Sequence, residues 1–178
     1  EKDNYSVSDA VKAEREMLKR LRFQSDYLID TTNLSIAQLK KQLTEIFLND
    51  AKNGMHIQCR SFGFKYGIDE DADIVLDVRC LPNPFYIESL KNKTGLDKEV
   101  RDYVMGFEES RKLFEKIKDF IDYSLPLYSK EGKSQLVISF GCTGGKHRSV
   151  TFAELIYKHL IENGYVASSL HRDIYKGA

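Results

Sequence analysis

Hydrophobic and polar positions along this chain follow two alternating periods. Met55, Ile57 and Cys59 interleave with His56, Gln58 and Arg60, the spacing of a half-buried strand. Asp73 to Val78 and Leu136 to Phe140 are apolar runs of strand length, and Tyr165 to Leu170 reads as a further strand. Between them the period becomes helical. Leu113, Phe114, Ile117, Phe120, Ile121 and Leu125 form one core-facing stripe from about Glu109 to Tyr128, which Pro126 should kink or end. Val150 to Ile161 is amphipathic and closes on the C-cap pair Asn163-Gly164. Thr94-Gly95-Leu96-Asp97 is a turn, with Thr94 or Asp97 able to cap a short helix to about Met105. Leu81-Pro82-Asn83-Pro84 excludes regular structure.

Upstream, Ser8 or Asp9 can cap a helix to about Arg22, with Val11, Met17, Leu18 and Leu21 on its apolar side. Tyr27 to Asp30 reads as a short strand and Thr31 to Leu34 as a turn. Ser35 and Gln38 form a capping box for a helix to about Leu48, with Leu39, Leu43, Ile46 and Phe47 inward. The polar Asn49 to Gly54 is the candidate linker. The reading is an α/β fold: a mostly parallel sheet flanked by helices, with a partial second α/β unit at the N-terminus. Residues 1–52 form the first domain and residues 53–178 the second.

The chain of 178 residues is long enough for one good core or two small ones. It begins at Glu1, which suggests a piece of a longer protein. Lys plus Arg and Asp plus Glu both number 27, so the whole chain makes no case for a polyanion partner. Cys59, Cys80 and Cys142 show no paired or metal-ligand spacing, so no metal is expected. Their odd number points to a reducing, cytoplasmic setting, and no run has transmembrane length, so no membrane partner is expected.

The chemistry gathers at Gly141-Cys142-Thr143-Gly144-Gly145-Lys146-His147-Arg148-Ser149. A buried strand, a glycine-rich turn and a helix start together make an anion site, because backbone N–H groups converge where the helix dipole favours negative charge. Lys146, His147 and Arg148 add donors, whereas a plain turn needs only its glycines. Parallel strands would also bring the Ser61–Gly67 loop with Tyr66, Arg79 and His171-Arg172 to the same sheet edge. Arg79 could instead pair with Asp77 or Asp73. His147 could be a directional donor, a structural cap or a pH-sensitive group. Phe64 and Tyr66 are aromatics of core or lid type.

Two functional readings share this loop. Cys142-x5-Arg148-Ser149 resembles the signature of cysteine-dependent phosphatases, with Cys142 as nucleophile and Arg148 as phosphoryl clamp. Gly141 stands where those enzymes usually have histidine, and Asp69, Asp71 and Asp77 are unplaced candidates for the general acid.

The second reading rests on several stretches at once. Ser61-Phe62-Gly63-Phe64-Lys65-Tyr66-Gly67, Asp77-Val78-Arg79-Cys80-Leu81-Pro82-Asn83-Pro84, Thr94-Gly95-Leu96-Asp97 and Gly141 through Val150 resemble, in order and spacing, the C-terminal domain of the RapZ/YvcJ family. His171-Arg172-Asp173 also looks like it. Ala13-Glu14-Arg15-Glu16 and Ile29 through Leu34 look like the end of that family's N-terminal P-loop domain. The resemblance implies a regulatory domain that binds a small phosphorylated metabolite, an amino-sugar phosphate such as glucosamine-6-phosphate. It implies phosphate contacts from Arg79, Cys142, Thr143, Gly144, Gly145, Lys146, His147, Arg148 and Ser149, with Tyr66 and His171 nearby, and no catalytic residue. It also implies an adaptor role toward small regulatory RNA and an RNase, homo-oligomeric assembly, and ATP or GTP bound and hydrolysed by the full-length protein. This chain has no Gly-x4-Gly-Lys-[Ser/Thr], so no cofactor is expected on it. Tyr66 stands where the RNA-adaptor branch carries histidine. The last residues offer only Arg172 and Lys176 as cations, so RNA contact would fall on those two.

Overall fold

The computed structural model describes residues 6–24, 29, 31–32, 34–47 and 55–176. The chain divides into two compact units, Glu1–Thr44 and Glu45–Ala178.

In the first unit, α1 spans Val7–Gln24 and α2 begins at Ile36 and runs to Phe47. Helix α1 starts earlier than Ser8 or Asp9 would set it. Ser6 is the capping residue: its Oγ accepts from the Asp9 N–H at 3.2 Å, and its hydroxyl donates to the Asp9 carboxylate at 2.6 Å. The capping box of α2 forms as its sequence dictates. Ser35 N–H donates to Gln38 Oε1 at 2.8 Å, and Gln38 N–H donates to Ser35 Oγ at 3.2 Å. Leu34 N–H closes the preceding turn on the Thr31 carbonyl. The strand expected at Tyr27–Asp30 lies outside the described residues apart from Ile29, which has no regular structure. The linker expected at Asn49–Gly54 lies outside them too, as do the side chains of Leu21, Ile46 and Phe47. Val11, Met17, Leu18 and Leu43 are exposed and Leu39 is half-buried. An apolar stripe is buried only where a matching surface meets it, and the described residues of this unit include none.

The second unit is a four-stranded, all-parallel sheet in the order β2-β3-β1-β4. Its strands are β1 (His56–Gly63), β2 (Ile74–Asp77), β3 (Gln135–Cys142) and β4 (Val166–His171). Strand β1 runs three residues further than its alternating pattern suggested, through Ser61, Phe62 and Gly63, because β3 continues beside it and pairs Gly63 with Cys142. Strand β2 falls on the apolar run Asp73 to Val78. It is an edge strand and leaves Val75 exposed.

Helices α3 (Glu88–Lys91), α4 (Lys98–Met105) and α5 (Glu108–Lys130) connect β2 to β3, and α6 (Arg148–Glu162) connects β3 to β4. One sheet face, with Ile57, Cys59, Leu136, Ile138 and Phe140, packs under α6 residues Phe152, Ile156 and Leu160 and α5 residues Ile117, Ile121 and Leu125. Each fully buried apolar side chain of this size contributes roughly 1.5–3 kcal/mol relative to exposure. Phe120, expected within the α5 stripe, is 48% exposed at its edge. Helix α5 also runs four residues past Pro126 to Lys130, with Ser124 Oγ donating to the Phe120 carbonyl at 2.7 Å. Helix α6 ends as expected: Gly164 N–H reaches the Ile161 carbonyl and Tyr165 N–H the Leu160 carbonyl, the paired bonds of a Schellman motif. No described helix is long and apolar enough to cross a membrane.

Candidate functional site

Because all four strands are parallel, their carboxyl ends share one edge. The chain leaves β1 toward β2 on one side and leaves β3 through α6 toward β4 on the other. The tips of β1 and β3 are therefore neighbours whose connections run in opposite directions, each past the other strand, a change of direction of the kind at which open parallel sheets form a ligand crevice.

The backbones of the two tips touch. A Cβ on Gly63 would lie 2.6 Å from the Gly144 carbonyl carbon and 2.8 Å from the Gly145 nitrogen. Gly145 has φ 73°, a left-handed conformation that favours glycine. Lys65 N–H donates to the Thr143 carbonyl at 3.1 Å, a second tie between the tips. Gly95 N–H donates to the Lys146 carbonyl at 2.9 Å, which docks the Thr94–Asp97 turn against the start of α6. Asp97 is the N-cap of α4 by position, yet its carboxylate turns back to accept from Thr94 N–H at 2.7 Å and Thr94 Oγ1 at 2.9 Å. The turn is thereby closed on itself, and α4 starts without a side-chain cap.

Inside the loop, Cys142 is buried. Its Sγ accepts from Gly145 N–H at 3.3 Å and lies 3.1 Å from Ser149 Oγ. Helix α6 begins with His147 as N-cap, makes no side-chain cap bond and has no acidic residue in its first turn. Among the described residues, the amides of Gly144, Lys146 and His147 have no protein acceptor. The Lys146 ammonium is half-exposed and has no carboxylate partner among them. Uncapped amides at a helix N-terminus beside a free ammonium are an electrostatic match for an anion.

Arg148 and Arg79 lie together, as the strand-tip reading requires, but in a different relation. Arg148 is 4% exposed. Its Nη1 donates to the carbonyls of Arg79 at 2.8 Å and Leu81 at 2.9 Å, and Nη2 reaches Thr143 Oγ1 at 3.4 Å. Arg148 is thus a strut that holds the turn after β2 against the loop. Only its Nη2 edge faces the loop, and Nε is buried without a partner. Arg79 takes the alternative open to it in the sequence. It grips Asp77 with Nε at 2.9 and 3.0 Å and Nη2 at 2.6 Å, and stacks its guanidinium 4.0 Å over the Phe64 ring. This partner holds the Asp77 carboxyl below its ordinary range.

Three further residues are turned elsewhere. His147 was expected to offer a hydrogen bond to the anion. Its ring is buried beside the carbonyls of Leu90, Lys91 and Lys93, and its Nε2 is unpartnered. Burial lowers its pKa and nearby Lys146 lowers it further, against the pull of those carbonyls. His171 has both ring nitrogens engaged, by Ser61 Oγ at 2.9 Å and Glu154 Oε1 at 3.1 Å, so it ties β1 and β4 to α6. Tyr66, in the single turn Phe64–Tyr66 after β1, has the ammoniums of Lys65 and Lys176 at 5.5 and 5.3 Å from its ring centre.

Arg172 and Lys176 both serve Asp173, a residue to which sequence reasoning gave no role. The acids weighed as proton donors are also occupied: Asp69 is buried against Arg60 and Ser139, Asp71 pairs with Arg60, and Asp77 with Arg79.

Residues 55–175 match the family model of the RapZ C-terminal domain. Curated relatives named "Nucleotide-binding protein" cover nearly the whole chain. The one from Caldicellulosiruptor saccharolyticus is 49% identical over 96% of this chain and 59% of its own length. Those from Acetivibrio thermocellus and Alkaliphilus oremlandii are 50% and 52% identical, over 93% and 94% of this chain and 57% and 58% of their own lengths. The chain therefore spans less than two thirds of the relatives it matches.

Proposed function

The chain belongs to the RapZ C-terminal domain family, and from that premise we propose that it binds a small phosphorylated metabolite at the joined tips of β1 and β3. The observation that carries this reading is the uncapped start of α6, set behind a glycine turn at the switch point of a parallel sheet. The amides of Gly144, Lys146 and His147 take the phosphoryl oxygens. The Lys146 ammonium supplies the free charge, with Thr143 Oγ1 and the Nη2 edge of Arg148 beside it. Arg79, held by Asp77, and Tyr66 stand at the rim. Charge-assisted hydrogen bonds contribute about 1.5–3 kcal/mol each, enough in combination for roughly micromolar affinity after the cost of association.

The ligand class is an amino-sugar phosphate such as glucosamine-6-phosphate. ATP or GTP binds a P-loop that this chain does not contain, and the full-length protein assembles as a homo-oligomer. An RNA-adaptor role is the weaker part of the reading, because Arg172 and Lys176 share Asp173, which takes up one of their two charges.

Calorimetry with glucosamine-6-phosphate tests the reading. Lys146→Ala should weaken binding by about tenfold or more; unchanged affinity would sink the assignment. Cys142→Ser tests the phosphatase alternative, which gains ground only if the wild-type chain turns over a phosphate ester and this variant does not.

A further inference from the structure

Asp173 sits directly behind the loop. It is fully buried, and Oδ2 accepts from Gly63 N–H at 2.8 Å and from Arg172 Nε and Nη2 at 3.0 and 2.8 Å. Its Oδ1 pairs with Lys176 Nζ at 2.8 Å. Arg172 in turn donates to the carbonyls of Gly67 at 2.6 Å and Ile68 at 3.0 Å, so the end of β4 grips the segment that follows β1. A Cβ on Gly145 would meet Gly63 N at 2.6 Å and Asp173 Cβ at 2.9 Å. The left-handed Gly145 thus rests on a floor made of Gly63 and Asp173, and the Asp173 carboxylate holds the other half of that floor.

We propose that Asp173 is a positioning residue for the anion site: through the Gly63 N–H it sets the β1 tip on which the Gly144–Gly145 turn rests, and so where Gly144 presents its amide. The proposal rests on the phosphate-binding reading above. A carboxylate directly behind an anion site would ordinarily repel the ligand. Arg172 and Lys176 more than offset that charge, which gives the closing His171-Arg172-Asp173 and Lys176 a shared purpose: one acid for the backbone and two bases for the acid. The acid is no ligand group for an anion, because it is fully buried and negative, with Oδ2 hydrogen-bonded to Gly63 and Arg172 and Oδ1 beside the Lys176 ammonium.

The test uses the 178-residue chain with Asp173→Ala and Asp173→Asn. Affinity for glucosamine-6-phosphate and for inorganic phosphate is measured by calorimetry well below each variant's Tm. Amide hydrogen exchange at Gly63, Gly144 and Gly145 is followed by NMR. Asp173→Ala should lose at least about tenfold in affinity and speed Gly63 exchange by a similar factor, the loss of one charge-assisted bond. Asp173→Asn keeps an acceptor for Gly63 and should stay within about threefold of wild type in both. A lowered Tm with unchanged affinity in Asp173→Ala would reduce the residue to a plain brace and overturn the proposal alone. A wild-type chain that binds neither anion would overturn the site reading and the positioning role with it.

Discussion

Helices α2 and α6 begin in opposite ways. The start of α2 is closed by its own side chains, Ser35 and Gln38 exchanging bonds with each other's backbone N–H. The start of α6 has no such closure. The other helices of eight residues or more carry an acid in the first turn: Asp9 in α1, Glu99 in α4, and Glu108 and Glu109 in α5. Helix α6 has none, and instead is held from outside by the Arg79 and Leu81 carbonyls, Gly63 and Gly95. Helices α4 and α5 also make no side-chain cap bond, but each places its own acid beside the open amides; α6 does not, and is braced at its edges and left open at its centre.

That contrast can be broken or sharpened in four steps. Arg148→Ala should have the largest effect, because it removes the strut and leaves two carbonyls without a donor. We expect a loss of about 3 kcal/mol in denaturant unfolding together with loss of phosphate binding. Retained stability would mean that the brace is dispensable. Gly63→Ala should come next. Its Cβ would press into the Gly144–Gly145 backbone, with an expected loss of about 2 kcal/mol for overpacking and weakened phosphate affinity by calorimetry. Ser35→Ala should cost about 1 kcal/mol or less, as cap removals do, and leave phosphate affinity unchanged. A change in affinity would contradict the separation between a closed and an open helix start.

The smallest effect should come from pH. His147 has its folded pKa depressed below the ordinary 6.5, chiefly by burial, so folding favours its neutral form. Its contribution is fully present above 6.5 and is lost as pH falls through the folded value. A melting series from pH 7.5 to 5 should show declining stability that His147→Gln flattens. A decline of equal slope in that variant would assign it to other groups.

What was legible in the sequence is what is local. The Ser35–Gln38 box and the Asn163-Gly164 terminus depend on residues three or four apart, and both formed. The parallel sheet followed from strands separated by helices, and with it the gathering of the four strand tips on one edge. What stayed hidden is paired over distance. Gly63 and Asp173 lie 110 residues apart, and Arg148 and Leu81 lie 67 apart. Nothing near any of them in the chain signals its partner. His171-Arg172-Asp173 stood out as a motif, but its acid drew no attention beside two bases. The inward turn of His147 was unreadable for the same reason, since the carbonyls that surround it belong to α3 and the turn after it. The exposure of Val75 and Phe120 was not legible because apolar character does not distinguish an edge strand from a central one, or the flank of a helical stripe from its middle.

The three cysteines differ in their surroundings in a way that is useful at the bench. Cys59 and Cys142 are buried, and burial pushes the Cys59 thiol up to about 12, far from the thiolate that alkylating reagents require. Cys80 is exposed and stands between the two residues whose carbonyls receive Arg148. A maleimide dye would therefore attach at one place, on the hinge of the strut, where its emission can follow the loop as a ligand arrives.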